Sequence, residues 1–203
     1  MKYFIYKILT KSIRKLREFF FLSYNKFLFS LAGVRYGKRL RITNHLYIDI
    51  EQDSKISIGN NFIFTSGEAF NALSRNIKGC IHVKTNAQII IGDNVGISSS
   101  CLWAESSIQI GNNVKIGGDC LIMDTDAHSL NYIYRRKYKD DIININSSPI
   151  IIEDDVLIGT RCIILKGVTI GKRSIIGSGS IVTKNIPPNC IAAGNPAKVI
   201  KQI

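Results

Sequence analysis

The chain has 203 residues, 45% of them hydrophobic, and a formal net charge of +12. That length suits one domain with a core of its own, and no second catalytic domain is expected. The charge also excludes a nucleic-acid-binding body: residues 1–41 hold eleven Lys and Arg against Glu18 alone, while the sixteen basic and fourteen acidic residues that follow nearly cancel.

In the front segment, residues 1–45, the residues Ile5, Ile8, Leu9, Ile13, Leu16, Phe19, Phe20 and Phe27 share one arc of a helix. Lys7, Lys11, Arg14 and Arg17 occupy the other arc, which predicts a basic amphipathic helix. Two roles fit it: peripheral contact of residues 1–30 with the inner face of the cell membrane, or packing on its own domain or on a neighbouring subunit. The longest apolar run there, Phe19-Phe20-Phe21-Leu22, is too short for a signal core or a membrane span, and a cytoplasmic protein is expected.

From Ile110 onward a β-branched aliphatic recurs every sixth residue: Ile110, Ile116, Ile122, then Ile152, Ile158, Ile164, Ile170, Ile176 and Val182. Four positions after each comes a small residue, as at Val114, Cys120, Val156, Cys162, Val168, Ser174 and Ser180. Period two would make a flat strand and period 3.6 a helix, whereas six fits one face of a triangular coil. The aliphatic points inward and Gly, Asn or Asp turns the corner, as in Ile91-Gly-Asp-Asn and Ile110-Gly-Asn-Asn. The fold class is therefore all-β, a parallel β-helix over residues 46–186, with the front helix covering one end and a tail, residues 187–203, closing the other.

Earlier coils are less regular. An extra residue between Ile97 and Ile110 predicts a bulge near Trp103, and residues 65–80 read as a loop or distorted coil. The largest break is a loop excursion at 128–149, where Asn131-Tyr-Ile-Tyr-Arg-Arg-Lys-Tyr replaces the hexads, and a long excursion from a compact solenoid is usually functional. The five cysteines form no Cys-x-x-Cys pair and read as buried thiols in a reducing compartment, fillers rather than nucleophiles.

The run from Ile158-Gly-Thr-Arg-Cys through Val182-Thr-Lys-Asn-Ile-Pro-Pro, followed by Ala193-Gly-Asn-Pro-Ala-Lys-Val, resembles the left-handed β-helix acetyltransferases. The likeness is to the galactoside/maltose and polysaccharide O-acetyltransferase branch and covers about residues 89–203. It implies a left-handed coil, a homotrimer of parallel prisms, acetyl-CoA in the groove between neighbours, and no required metal. It also implies acetyl-CoA contacts at Thr160, Ser178, Thr183, Lys184, Lys198 and Lys201. Leu157 stands where many relatives carry Trp.

Acetyl transfer to a hydroxyl needs a base and donors for the developing oxyanion. His45, His82 and His128 are the only imidazoles. His128, in Asp124-Thr-Asp-Ala-His-Ser, sits where the resembling enzymes carry their catalytic histidine, at the end of a repeat run. Asp126 falls where a small inward residue is due and His128 where an aliphatic is due, so the coil should break here and turn His128 outward. Asp126, Asp124 or a backbone carbonyl would fix its tautomer. Ser98 and Ser99 lie near the position of an acceptor-binding Asn in sugar-specific relatives, and Trp103 either stacks on a sugar or fills the bulge. The expected function is O-acetylation of a sugar hydroxyl in surface-polysaccharide synthesis. N-acylation of an amino sugar or nucleotide-sugar is the alternative, and a structural β-helix a distant one.

Overall fold

A computed structural model describes residues 1–67 and 77–203. Among the described residues, helix α1 (Lys2–Leu31) leads into twenty strands. Strands β1 (Arg35–Tyr36), β4 (Lys55–Ile58), β7 (Gln88–Ile91), β10 (Ser107–Ile110), β13 (Ile150–Ile152) and β16 (Thr169–Ile170) form the first face. Strands β2 (Arg41–Thr43), β5 (Ile63–Thr65), β8 (Gly96–Ser98), β11 (Lys115–Ile116), β14 (Leu157–Ile158), β17 (Ile175–Ile176), β19 (Cys190–Gly194) and β20 (Ala197–Gln202) form the second. The third holds β3 (Tyr47–Ile50), β6 (Cys80–Val83), β9 (Cys101–Ala104), β12 (Leu121–Met123), β15 (Ile163–Leu165) and β18 (Ile181–Val182).

From β1 to β18, each strand pairs in parallel with the one three places on, so three strands make one turn of a left-handed parallel β-helix. The register carries the hexad aliphatics into columns, Ile91 on Ile110 on Ile152 on Ile170 along the first face and Ile97 on Ile116 on Ile158 on Ile176 along the second. All are buried, so the core is one apolar column. The small inward sites hold Val or a residue whose polar atom finds a carbonyl: Cys120 Sγ meets Gly159 O at 3.1 Å, Cys162 Sγ meets Gly177 O at 3.2 Å, and Ser174 Oγ donates to Pro187 O at 2.7 Å. The cysteines are free thiols filling coil positions.

The edge between the first two faces is built on amide ladders. Asn61 donates to Asn94, Asn94 to Asn113 and Asn113 to Asp155 at 2.7 to 3.0 Å, all four residues at positive φ. Short Asx side chains tolerate that region and bond along the stack, which is why the corners select them.

Four expectations are corrected. The β-helix starts at Arg35, before residue 46, because Gly33 at φ +68 ends α1 early and the chain enters β1 at once. Trp103 is in regular register between His82 and Met123, so no bulge lies there; the extra length is taken up at the next corner, Glu105–Ser106. The excursion is not a loop throughout, since it forms α2 (Tyr132–Arg135) and α3 (Tyr138–Ile143). The predicted apolar stripe of α1 is not the face that packs on the coil: Asn25 and Phe29 are the buried residues, Asn25 donating to Asn44 O at 2.9 Å, while Ile5, Leu9, Ile13, Leu16, Phe20 and Phe27 stay exposed. The predicted irregularity at 65–80 lies mostly outside the described residues. At the far end, β20 runs antiparallel to β19 and covers the last edge.

Candidate active site

After β12 the chain reaches the edge between the third and first faces and leaves the coil. The base of the excursion is pinned there: Thr125 pairs with Ser147, Asp126 N donates to Asn146 O at 3.0 Å, and Ser148 N donates to Asp124 O at 2.8 Å. His128 stands just beyond this clamp, its side chain 70% exposed.

Its partner is a residue the sequence did not single out. Asp141, on α3, meets His128 Nδ1 through Oδ2 at 2.6 Å and accepts the Ser129 amide on Oδ1 at 2.8 Å. The bond to His128, then that amide, hold the Asp141 carboxyl below the usual carboxylate range, so it is an acceptor and the proton of the pair lies on Nδ1. Nε2 of the same ring is then the basic nitrogen. Arg135 tightens the enclosure by donating to Ser129 O at 2.6 Å.

Asp124 and Asp126, expected to orient His128, do other things. Asp124 is fully buried and accepts the Glu105 and Ser106 amides at 2.7 and 2.8 Å, capping the lengthened corner of the coil below. Burial pushes its carboxyl up, against the pull of those amides. Asp126 pairs with Lys166 Nζ at 3.2 Å, one coil on along the same edge.

Ser98, Thr160 and Ser178 line one groove of about 460 Å³ on the second face, with Ile63, Ile97 and Leu157 as its apolar floor. Such a groove fits a long chain carrying amides. Ser99 is removed from it: fully buried, it accepts the Gly67 amide at 3.0 Å and braces the corner. Trp103 faces outward on the third face with the His82 ring edge-on at 5.1 Å, and His82 Nδ1 is itself 2.8 Å from Asp49. His45 stacks on Tyr24 of α1 at 5.8 Å, a packing role.

The residues implied for cofactor contact fall into separate places. Thr160 and Ser178 follow β14 and β17, on the edge between second and third faces. Thr183 and Lys184 follow β18, on the edge that bears His128. Lys198 and Lys201 are exposed on β20. Crossing from one edge to the other along a coil takes about six residues, roughly 20 Å. Within one chain, the groove and His128 do not meet. Among the described residues no group of three or more His, Cys, Asp or Glu is placed to hold a metal.

Residues 149–184 match the family described as the hexapeptide repeat of succinyl-transferase. Over 57 residues, 28% of this chain, the sequence is 56% identical to a 2,3,4,5-tetrahydropyridine-2,6-dicarboxylate N-acetyltransferase of Staphylococcus aureus strain JH9, of which the match spans 24%. Among solved structures, a variant of AntD, an N-acyltransferase from Bacillus cereus in complex with dTDP and coenzyme A, is similar at TM-score 0.63 and 20% identity, covering 87% of this chain and 88% of that one. A galactoside acetyltransferase in complex with coenzyme A is similar at TM-score 0.48 and 28% identity, covering 83% and 64%.

Proposed function

We propose that this chain, a hexapeptide-repeat protein with the fold of coenzyme-A-dependent acyltransferases, transfers an acetyl group from acetyl-CoA to a sugar hydroxyl with His128 as the general base. The observation that carries the reading is the His128–Asp141 pair, with Asp141 buried, the His128 ring exposed at the mouth of the excursion and its outer nitrogen without a hydrogen bond among the described residues. A hydroxyl is a weak nucleophile at neutral pH and needs such a base, whereas a neutral amine attacks without one.

His128 Nε2 takes the hydroxyl proton as the acceptor oxygen bonds to the thioester carbonyl carbon. The resulting tetrahedral species collapses with cleavage of the C–S bond, and the proton passes to the departing thiolate. Asp141 holds the ring and stabilises the imidazolium formed in between. No covalent enzyme intermediate is needed.

Acetyl-CoA is assigned to the groove of Thr160 and Ser178, with Lys198 and Lys201 at hand for its phosphates. Because groove and base lie on different edges of one prism, the complete site is assigned to the cleft between neighbouring chains of a homotrimer. The acceptor is a glycan precursor in cytoplasmic assembly of a surface polysaccharide, with Trp103 on the face between the two edges.

N-acylation of an amino sugar is the second reading, favoured by the 56% identity to an N-acetyltransferase over 57 residues. The test of both is thiol release from acetyl-CoA with a panel of sugars and amino sugars. The wild-type chain is expected to turn over a hydroxyl acceptor, and His128→Ala to lower kcat by about 10²- to 10⁴-fold. Near-wild-type activity in that variant refutes the assignment, and turnover of amino sugars alone replaces it with the second reading.

A further inference from the structure

Helix α1 spans thirty residues, about 45 Å, and the contacts that hold it to the β-helix fall in its second half, from Glu18 to Phe29. The contact is made by Leu22, Asn25 and Phe29, Asn25 bridging the Asn44 carbonyl and, at 3.4 Å, the Leu46 amide. Glu18 pairs with Arg41 on the same side. Ile5, Leu9, Ile13, Leu16, Phe20, Phe27 and Leu31 lie on the opposite arc, from 50% to 70% exposed. The apolar stripe therefore points away from the body along its whole length.

A stripe of that size needs an occupant. The helix carries seven Lys and Arg against Glu18, whose carboxylate is already taken. Bringing copies of such a helix together would concentrate positive charge around the shared apolar seam. An anionic surface is the complementary choice. Lys15, Arg17 and Lys26 flank the stripe with stems long enough to reach back past it. Even residues on the far arc lie about one helix diameter, some 10 Å, from such a surface, which is about one Debye length at 0.1 M salt. Arg35, Lys38 and Arg39 continue the basic character onto the first coil. Among the described residues, no helix is long and apolar enough to cross a membrane, which leaves α1 to lie on one.

We infer that α1 docks this protein flat on an anionic phospholipid surface, its Leu/Ile/Phe stripe buried among the acyl chains and its basic residues at the headgroups. This holds whichever acceptor the active site takes.

The experiment is flotation of the intact chain with liposomes of neutral phosphatidylcholine alone and with about a third phosphatidylglycerol. Co-flotation with the anionic vesicles is expected, at least about tenfold above neutral vesicles and falling steeply in 0.5 M salt. Leu9→Asp with Phe20→Asp should abolish it, and Lys7→Gln with Lys11→Gln and Lys15→Gln should reduce it severalfold. These positions do not contact the β-helix, so circular dichroism should be unchanged. Absence of flotation overturns the inference, as does equal binding to neutral vesicles. A Leu9→Asp/Phe20→Asp chain that changes oligomeric mass but not lipid binding also overturns it, in favour of a contact between copies.

Discussion

Asp141 reaches His128 from thirteen positions further along the chain and out of the same excursion, so its role depends on the local closure of α3 rather than on the hexad. Asp141→Asn keeps the shape but loses the negative charge that stabilises an imidazolium. Its kcat is expected to fall about 10²-fold with the KM for acetyl-CoA little changed, a split read directly from steady-state kinetics. His82, also paired to a carboxylate, is pressed against Trp103 with its side chain 19% exposed, and His82→Ala should leave kcat nearly intact. The pH dependence has a definite sign. The Asp141 carboxyl is held lower in the fold than in an open chain, so its contribution is complete above the ordinary carboxylate range and is lost only as pH falls through its lowered value. Amide signals of residues 129–145 should therefore persist down through the ordinary carboxylate range and be lost only at lower pH, and in Asp141→Asn that acid transition should vanish. Sequence reading singled out His128 on the family resemblance and on its break of the period, and did not reach Asp141 because nothing periodic links it to the ring. Asp124 was misread for the opposite reason: it is near His128 in sequence, but it serves a corner one coil below, whose extra length had been placed at Trp103.

At the scale of elements, the repeat was legible wherever inward aliphatics and Asx corners stack in register, since that pattern is imposed by the coil itself. The corners pack backbone on backbone. A Cβ at Gly92 would meet Asn112 Oδ1 at 2.6 Å and the Gly111 carbonyl carbon at 2.8 Å. Gly92→Ala is thus expected to cost about 1–3 kcal/mol in denaturant unfolding, unusual for so small a change. The excursion is a separable element by the same logic. Its base is closed by the Thr125–Ser147 bridge, and the coils on either side pair directly, Ile108 on Ile150 and Leu121 on Ile163. Replacing residues 129–146 by a short Gly/Ser turn should leave the β-helix folded by circular dichroism and abolish turnover. Helix α1 shows where element-level reading fails: its apolar arc was correctly drawn, but an apolar arc says only that something covers it. The face that the body uses was set by one buried amide, Asn25, and by Phe29.

On the scale of the whole molecule, the separation of groove and base makes a prediction that no single-site account shares. If one chain supplies His128 and its neighbour the groove of Thr160 and Ser178, two inactive variants can restore each other. His128→Ala removes the base but leaves the groove. Ser178→Trp fills the groove but leaves the base, and because Ser178 is exposed at a coil corner the substitution should not disturb the core. In randomly mixed copies of the proposed trimer from equal amounts of the two, a given cleft draws an intact base with probability one half and an intact groove with probability one half. About a quarter of wild-type activity should then return. If both parts of the site came from one chain, every cleft would carry one lesion and mixing would restore nothing. Refolding the two variants together from denaturant, with each refolded alone as the reference, measures the difference. Within one prism the two edges lie on either side of the third face, so the proposed cleft needs a second chain to bring a groove to His128.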